Sequence, residues 1–199
     1  MIQRQSYELI RERIGQILAT EWPQVMSDSN SLPNGDPDKL NFDEPTIFDE
    51  RVTVFDQTEL PAINVIMNSG DYDARDLTQE DGTYQFYIDC YTKFGETTGK
   101  TATKDVQRIA GICRAILMKP EYVALNMQGL VAYRMVSRIQ ISVPNPTNDA
   151  KKIAQARITF DVKAPETITP KEPQLLKENY TQVKLHETDK GYFWKLIIP

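Results

Sequence analysis

TYQFYIDCYTKF, residues 83–94, is the stretch that decides the fold. Tyr84, Phe86, Ile88 and Cys90 recur at period two, so they share one face of a strand. Gln85, Tyr87, Asp89, Tyr91 and Lys93 fall on the other face. A strand with one apolar and one mostly polar face belongs to a sheet covered on one side only. That is the pattern of antiparallel sheets, whereas strands of parallel sheets are buried on both faces and read as nearly continuous aliphatic runs.

The segment that follows, FGETTGKTATKD at residues 94–105, looks at first like a phosphate-binding loop. Such a loop needs four residues between its glycines, so that successive backbone N–H groups turn onto the phosphates. Gly95 and Gly99, before Lys100 and Thr101, are separated by only three. The strand before it is also of the wrong kind for a nucleotide hydrolase. The segment reads as a glycine turn into a helix capped by Thr101 or Thr103.

Outward from this point, a helix is expected from about Thr103, with Val106, Ile109, Ala110, Cys113 and Leu117 on one stripe and Pro120 beyond its end. LVAYRMVSRIQISVP (residues 130–144) and ARITFDVKA (156–164) read as two further strands. In the first, Val131, Tyr133, Met135, Ile139, Ile141 and Val143 are expected inward, with Arg134, Arg138, Gln140 and Ser142 outward. Upstream, Tyr7, Ile10, Ile14, Ile17 and Leu18 mark a first helix, closed at Trp22-Pro23. RVTVFD (51–56) and LPAINVIM (60–67) read as two strands. Two acidic loops separate these elements, one at residues 27–45 and one at 70–82.

The fold class expected is therefore α+β: a mixed, mainly antiparallel sheet packed against two helices, with a long acidic loop and a C-terminal arm. Residues 1–164 form the domain and 165–199 the arm. Pro165, Pro170 and Pro173 stiffen the start of that arm. Beyond it, TQVKLHE and YFWKLII flank residues 188–191, a strand–turn–strand pattern. A lone hairpin is marginal in water. Phe193 and Trp194 therefore need cover, either on the chain's own sheet or on a neighbouring subunit, and the proline-stiffened arm favours the neighbour.

The composition is that of an ordinary globular chain: 199 residues, 40% hydrophobic and 26% charged. A net charge of -5 argues against broad binding to nucleic acid or anionic membrane. Cys90 and Cys113 sit on core faces and read as reduced thiols of a protein folded in a cytoplasm. His186 is the only histidine, which excludes two-histidine metal sites. Neither acidic loop has the ladder of an EF-hand. No catalytic, cofactor-binding or metal constellation is expected.

The order of elements is informative in itself. A strand opened by LPAINV, carried by Pro61, Ala62, Ile63 and Val65, leads through an acidic connection to DGTYQFYIDCYTKFG. The helix KDVQRIAGICRAIL and a paired strand follow, and the helix over Tyr7 to Leu18 precedes them. Over residues 1–164 this resembles the tail terminator (tail completion) proteins of tailed bacteriophages, the minor tail protein U type included. The resemblance implies a structural virion protein without enzymatic activity or cofactor. It implies a six-fold ring of identical subunits at the head-proximal end of the tail tube, assembled in the host cytoplasm. The ring ends tube polymerisation and offers a docking surface to the head connector. Its partners would be itself, the tail tube protein and the connector, with the tail sheath as a further neighbour. DNA would be passing cargo, and no membrane is involved.

On that reading Tyr87, Tyr91, Arg134, Arg138, Phe193 and Trp194 are candidate subunit contacts, because Tyr and Arg are enriched at interfaces; a solvated sheet face is the plainer account of the strand residues. Asp71, Asp73, Asp76, Glu80 and Asp81 are candidates to line the lumen, where carboxylates repel DNA phosphates, with Asp36 and Asp38 as the alternative set. Solvated outer loops account for the same residues. Two other classes stay open: another head-to-tail joining or neck ring protein, and a small ligand-binding module using the half-open sheet.

Overall fold

In a computed structural model, residues 5–53, 55–74, 79–93, 99–142, 153–167, 178–183 and 192–197 are described. The chain divides into two compact units, Met1–Thr167 and Ile168–Pro199. In the first unit, α1 (Ser6–Asn30) and α2 (Gly99–Leu117) accompany strands β1 (Thr46–Asp49), β2 (Ala62–Ala74), β3 (Gln79–Lys93), β4 (Tyr133–Ser142) and β5 (Ile153–Thr167). The strands form one sheet in the order β1-β2-β3-β5-β4, antiparallel throughout except for the β1–β2 pair. The architecture is α+β, with a mixed, mainly antiparallel sheet.

The two faces of β3 are those its alternation predicts. Tyr84, Phe86, Ile88 and Cys90 are buried and pair with Val162, Phe160, Ile158 and Ala156 of β5. Against them pack Ile10, Ile14 and Leu18 of α1 and Val106, Ile109 and Cys113 of α2. Each fully buried aliphatic or aromatic side chain in this layer contributes roughly 1.5–3 kcal/mol of transfer free energy. Cys90 and Cys113 are both buried free thiols. The hydrogen bond between them is the main reason the Cys90 thiol is pushed well above its ordinary pKa, with burial second.

Several elements depart from expectation. The first helix does not stop at Trp22-Pro23 but runs to Asn30. Pro23 lies on the exposed side, while Trp22 and Ser29 are buried and Val25 and Met26 pack on the core, so apolar cover holds the helix together past the missing N–H. The Ser29 hydroxyl then accepts the backbone N–H of Leu40 at 2.7 Å, which ties down the return of the loop.

The described residues of RVTVFD are not in a strand. The edge strand is instead TIFD, the four residues that follow the acidic loop. At Glu50 the backbone takes a positive φ of 55° and leaves the sheet. Val52 is 94% exposed, and Phe55 folds back over the sheet's outer face. The side chain of Asn64 fixes this excursion by accepting the Arg51 N–H at 3.0 Å and donating to the Arg51 carbonyl at 2.8 Å.

The second acidic loop is likewise mostly strand. β2 runs on to Ala74 and β3 starts at Gln79, with Asp71 opposite Thr83 and Asp73 opposite Asp81. Two glycines make room for the ring that holds this extension. A Cβ on Gly70 would lie 2.9 Å from Tyr84 Cδ1, and one on Gly82 would lie 2.6 Å from its hydroxyl oxygen. The Tyr84 hydroxyl donates to Glu166, which Ser6 Oγ also reaches at 2.8 Å. Burial first, and the Glu166 bond second, raise the Tyr84 pKa far above its ordinary value.

The last three residues of the first unit, Pro165 to Thr167, complete β5 rather than begin an arm. β4 starts at Tyr133 opposite Lys163, so past Lys163 β5 has a ladder partner on one side only, where proline is tolerated. In the second unit, β6 (Glu178–Val183) and β7 (Tyr192–Ile197) pair antiparallel. The hairpin is present, with its first strand three residues earlier than TQVKLHE suggests. Residues 168–177 and 184–191 lie outside the described residues.

Candidate functional site

The helices cover one face of the sheet, and the other face carries the polar chemistry. On β3 and β5 this outer face presents Tyr87, Asp89 and Tyr91 beside Thr159, Arg157 and Gln155. Asp89 is 1% exposed, a carboxylate sealed in the sheet. Arg157 satisfies it with two bonds of 2.7 Å, from Nε and from Nη2. The same guanidinium lies 4.2 Å from the centroid of the Tyr87 ring. The Asp89 bond holds the Arg157 pKa above its ordinary value, against the opposing effect of burial. Tyr91 donates from its hydroxyl to Asp89 Oδ2 at 3.3 Å, and burial and the Asp89 charge raise its pKa.

The excursion after β1 forms a wall along this face. Phe55, Leu60 and Ala62 make a second small core with Phe48, Tyr91 and Ile153 packed against it. Arg51 lies over Phe55 at 4.6 Å and over Phe48 at 4.9 Å. It also clamps Glu59 at 2.7 and 2.9 Å. Between this wall and the start of β5 lies a cleft of about 520 Å³, lined by Arg51, Asn64, Asp89, Tyr91, Gln155 and Arg157 among others. Both arginines are already bound to carboxylates, so the cleft offers mixed apolar and neutralised polar surface rather than a free anion site.

The expected site residues do not all meet. Tyr87, Tyr91 and Arg138 share the outer face, with Arg138 exposed. Arg134 does not join them, which corrects the expected orientation of β4. Between Val136 and Arg138 the β4–β5 register shifts by one residue, so Ser137 is extra and the alternation changes parity there. Arg134 pairs with Val162 and turns to the helix side, 8% exposed. It donates from Nε to the Tyr122 carbonyl and from Nη2 to the Lys119 carbonyl at 2.7 Å, adding a second bond to oxygens that already accept the Leu125 and Tyr122 N–H groups. Burial lowers its pKa from the ordinary value. For the same reason Tyr133, expected inward, is 53% exposed on the outer face.

Of the acidic set, Asp71 and Asp73 are exposed, Glu80 is half-buried, and Asp81 is buried within 3.3 Å of Lys163 Nζ. Asp76 lies outside the described residues. In the alternative set, Asp36 accepts the Asp38 N–H at 2.8 Å, and Asp38 meets Arg108 at 3.0 Å. The acidic loop is thus pinned to α2. Phe193 and Trp194 sit on β7 opposite Gln182 and Thr181. Gly99, Lys100 and Thr101 open α2, and β3 before them is antiparallel to both neighbours.

Residues of this face that the sequence reading left unassigned are Arg51, Phe55 and Asn64. Asp89 and Arg157 were visible only as polar positions on separate strands, and their pairing depends on register. Among the described residues no group of three or more His, Cys, Asp or Glu is placed to hold a metal, and no helix is long and apolar enough to cross a membrane. His186 lies outside the described residues.

Fold and site together define an α+β protein with a one-sided helix layer and a polar outer sheet face. No protein-family model matches the chain, and no curated protein matches it.

Proposed function

We propose that this chain is a structural subunit of a bacteriophage tail: a tail terminator that assembles as a ring on the head-proximal end of the tail tube. The ring stops tube growth and presents a docking surface to the head connector. The observation that carries this reading is β4. It closes one side of the sheet, and Ser137 to Ser142 are all exposed. Ile139 and Ile141, at 40% and 43% exposure, stand on the helix side opposite core residues Ile158 and Ala156, and among the described residues no helix layer covers them. A long edge with uncovered apolar groups is an association surface unless something blocks it. Ring closure by rotation uses such an edge without open-ended growth.

The two-helix, mainly antiparallel sheet agrees with the arrangement the tail-terminator resemblance implies. Asp71 and Asp73 are the exposed acids available to a DNA-repelling lumen. Asp81 contributes less, because Lys163 offsets its charge.

Light scattering after size exclusion, with negative-stain images, gives the first test: rings are expected, at a multiple of 22.8 kDa. Purified protein added to polymerising tail tube subunits should then shorten the tubes and cap one end. A monomer that leaves tube length unchanged would refute the reading. A ring that binds the connector but never tube ends would identify a neck protein instead. The outer-face cleft keeps a ligand-binding module as a second reading, supported if nucleotide raises the melting temperature.

A further inference from the structure

We infer that neighbouring copies join by adding β4 of one to β1 of the next, so that the sheet continues from subunit to subunit. This rests on the ring reading only in requiring that copy meets copy. β1 and β4 are the two ends of the sheet. β1 runs with β2, β2 and β5 both run against β3, and β4 runs against β5. The two edges therefore point in opposite directions. Side by side in copies of the same orientation, they meet as an antiparallel pair, the common and slightly more stable ladder.

Charge selects this partner. From Val123 to Ser142 the chain holds no acid, and of its two arginines Arg138 is exposed while Arg134 is buried on the helix side. Around β1, residues 40–50 hold Asp43, Glu44, Asp49 and Glu50 and no Lys or Arg. A β4 edge against another β4 edge would set Arg138 near its own copy. Against β1 it meets the exposed carboxylates Asp43 and Glu44, while Asp49 and Glu50 are already bonded to Arg11, and opposite charge at an edge favours this partner.

Length and cover agree. β1 has four residues, close to the five from Arg138 to Ser142 that are exposed beyond the bulge. Among the described residues, what Ile139 and Ile141 lack is a helix on their face. α1 packs along β1, with Arg11 bonded to Asp49 at 2.6 Å and to Glu50. An arriving β1 thus brings a helix to the side where the two isoleucines stand uncovered.

The test uses the full chain with Thr46→Cys combined in turn with Arg138→Cys, Gln140→Cys or Ser142→Cys. These positions are exposed, and the native thiols are buried. Mild oxidation should give, in at least one double variant, a ladder of covalent oligomers ending at the ring size, and none in the single variants. Disulfide-linked dimers from Gln140→Cys alone would mean two-fold β4–β4 pairing and would overturn the inference, as would the absence of a ladder from every pair. Arg138→Glu should weaken association at low salt about tenfold while leaving the melting temperature in place, and unchanged association would count equally against it. A ladder without tube capping removes the tail-terminator reading and leaves this pairing standing. Tube capping without a ladder does the reverse.

Discussion

Cutting the Arg157 side chain to alanine should cost more than neutralising its partner, although both remove the same ion pair. Asp89 is the sealed member at 1% side-chain exposure, while Arg157 keeps 36%. Breaking a fully buried pair costs about 3–5 kcal/mol, because a charge is left without compensation in low dielectric. Truncating Arg157 opens a path for water toward Asp89, which lowers the expectation to about 2–4 kcal/mol, including the lost contact with the Tyr87 ring. Asp89→Asn leaves the opposite orphan, a guanidinium already a third in solvent, so its cost should be about 1–2 kcal/mol.

For a chain of this size each kcal/mol moves the melting temperature by about 2–4 °C, so Arg157→Ala should melt about 4–16 °C below the parent. Urea unfolding of the two single variants and the double variant closes a cycle that isolates the coupling. If Asp89→Asn proves as costly as Arg157→Ala, or Arg157→Ala costs under about 1 kcal/mol, Asp89 is not the sealed charge the argument requires.

Gly82→Ala should destabilise by about 1–3 kcal/mol, because its methyl would press on a Tyr84 ring held by Glu166; Gly111→Ala, a helical site with open space around the added methyl, should stabilise by up to about 1 kcal/mol. The Glu21 carboxyl is held below the ordinary range by bonds from Lys119 and Tyr122, so the unfolded chain binds its proton first as pH falls. Its stabilisation is therefore full above the ordinary carboxylate pKa and lost as pH drops through the lowered one, and the gap between parent and Glu21→Gln in chemical unfolding should close on acidification. Lys100→Ala should leave fold and assembly intact, and ATP hydrolysis abolished by it would overturn the sheet-type argument. A chain ending at Thr167 should still melt cooperatively, since the second unit begins at Ile168; loss of the transition would show that the first unit depends on it.

Period-two and helical patterns were legible wherever a whole element kept one periodicity. Both faces of β3, the α2 stripe from Val106 to Leu117 and the inward set Ala156, Ile158, Phe160 and Val162 could be read directly. Failures came where a side chain far away in sequence decided the backbone. NSGDYDA has loop composition, but Tyr84 fills the space over two glycines and keeps it in the ladder. RVTVFD has strand composition, but the Asn64 amide occupies the backbone of Arg51 and turns the segment away. Pro23 suggests a helix end, and burial on the opposite side of α1 overrides it. The Asp89–Arg157 pair joins residues 68 apart, and only the β3–β5 register reveals it.

Ser137 counts as one residue of offset in a strand whose faces are assigned by odd and even. Before it, Arg134 and Val136 face the helices; after it, Ile139 and Ile141 do, and Arg138 faces out. One insertion thus splits a single strand into a half that anchors and a half that presents. Deleting Ser137 would make the alternation uniform while leaving Arg138 facing out and both isoleucines on the helix side, because each already holds its own place opposite β5. The extra residue thus lets a sequence written in two parities present one continuous face to the helices and one to the outside.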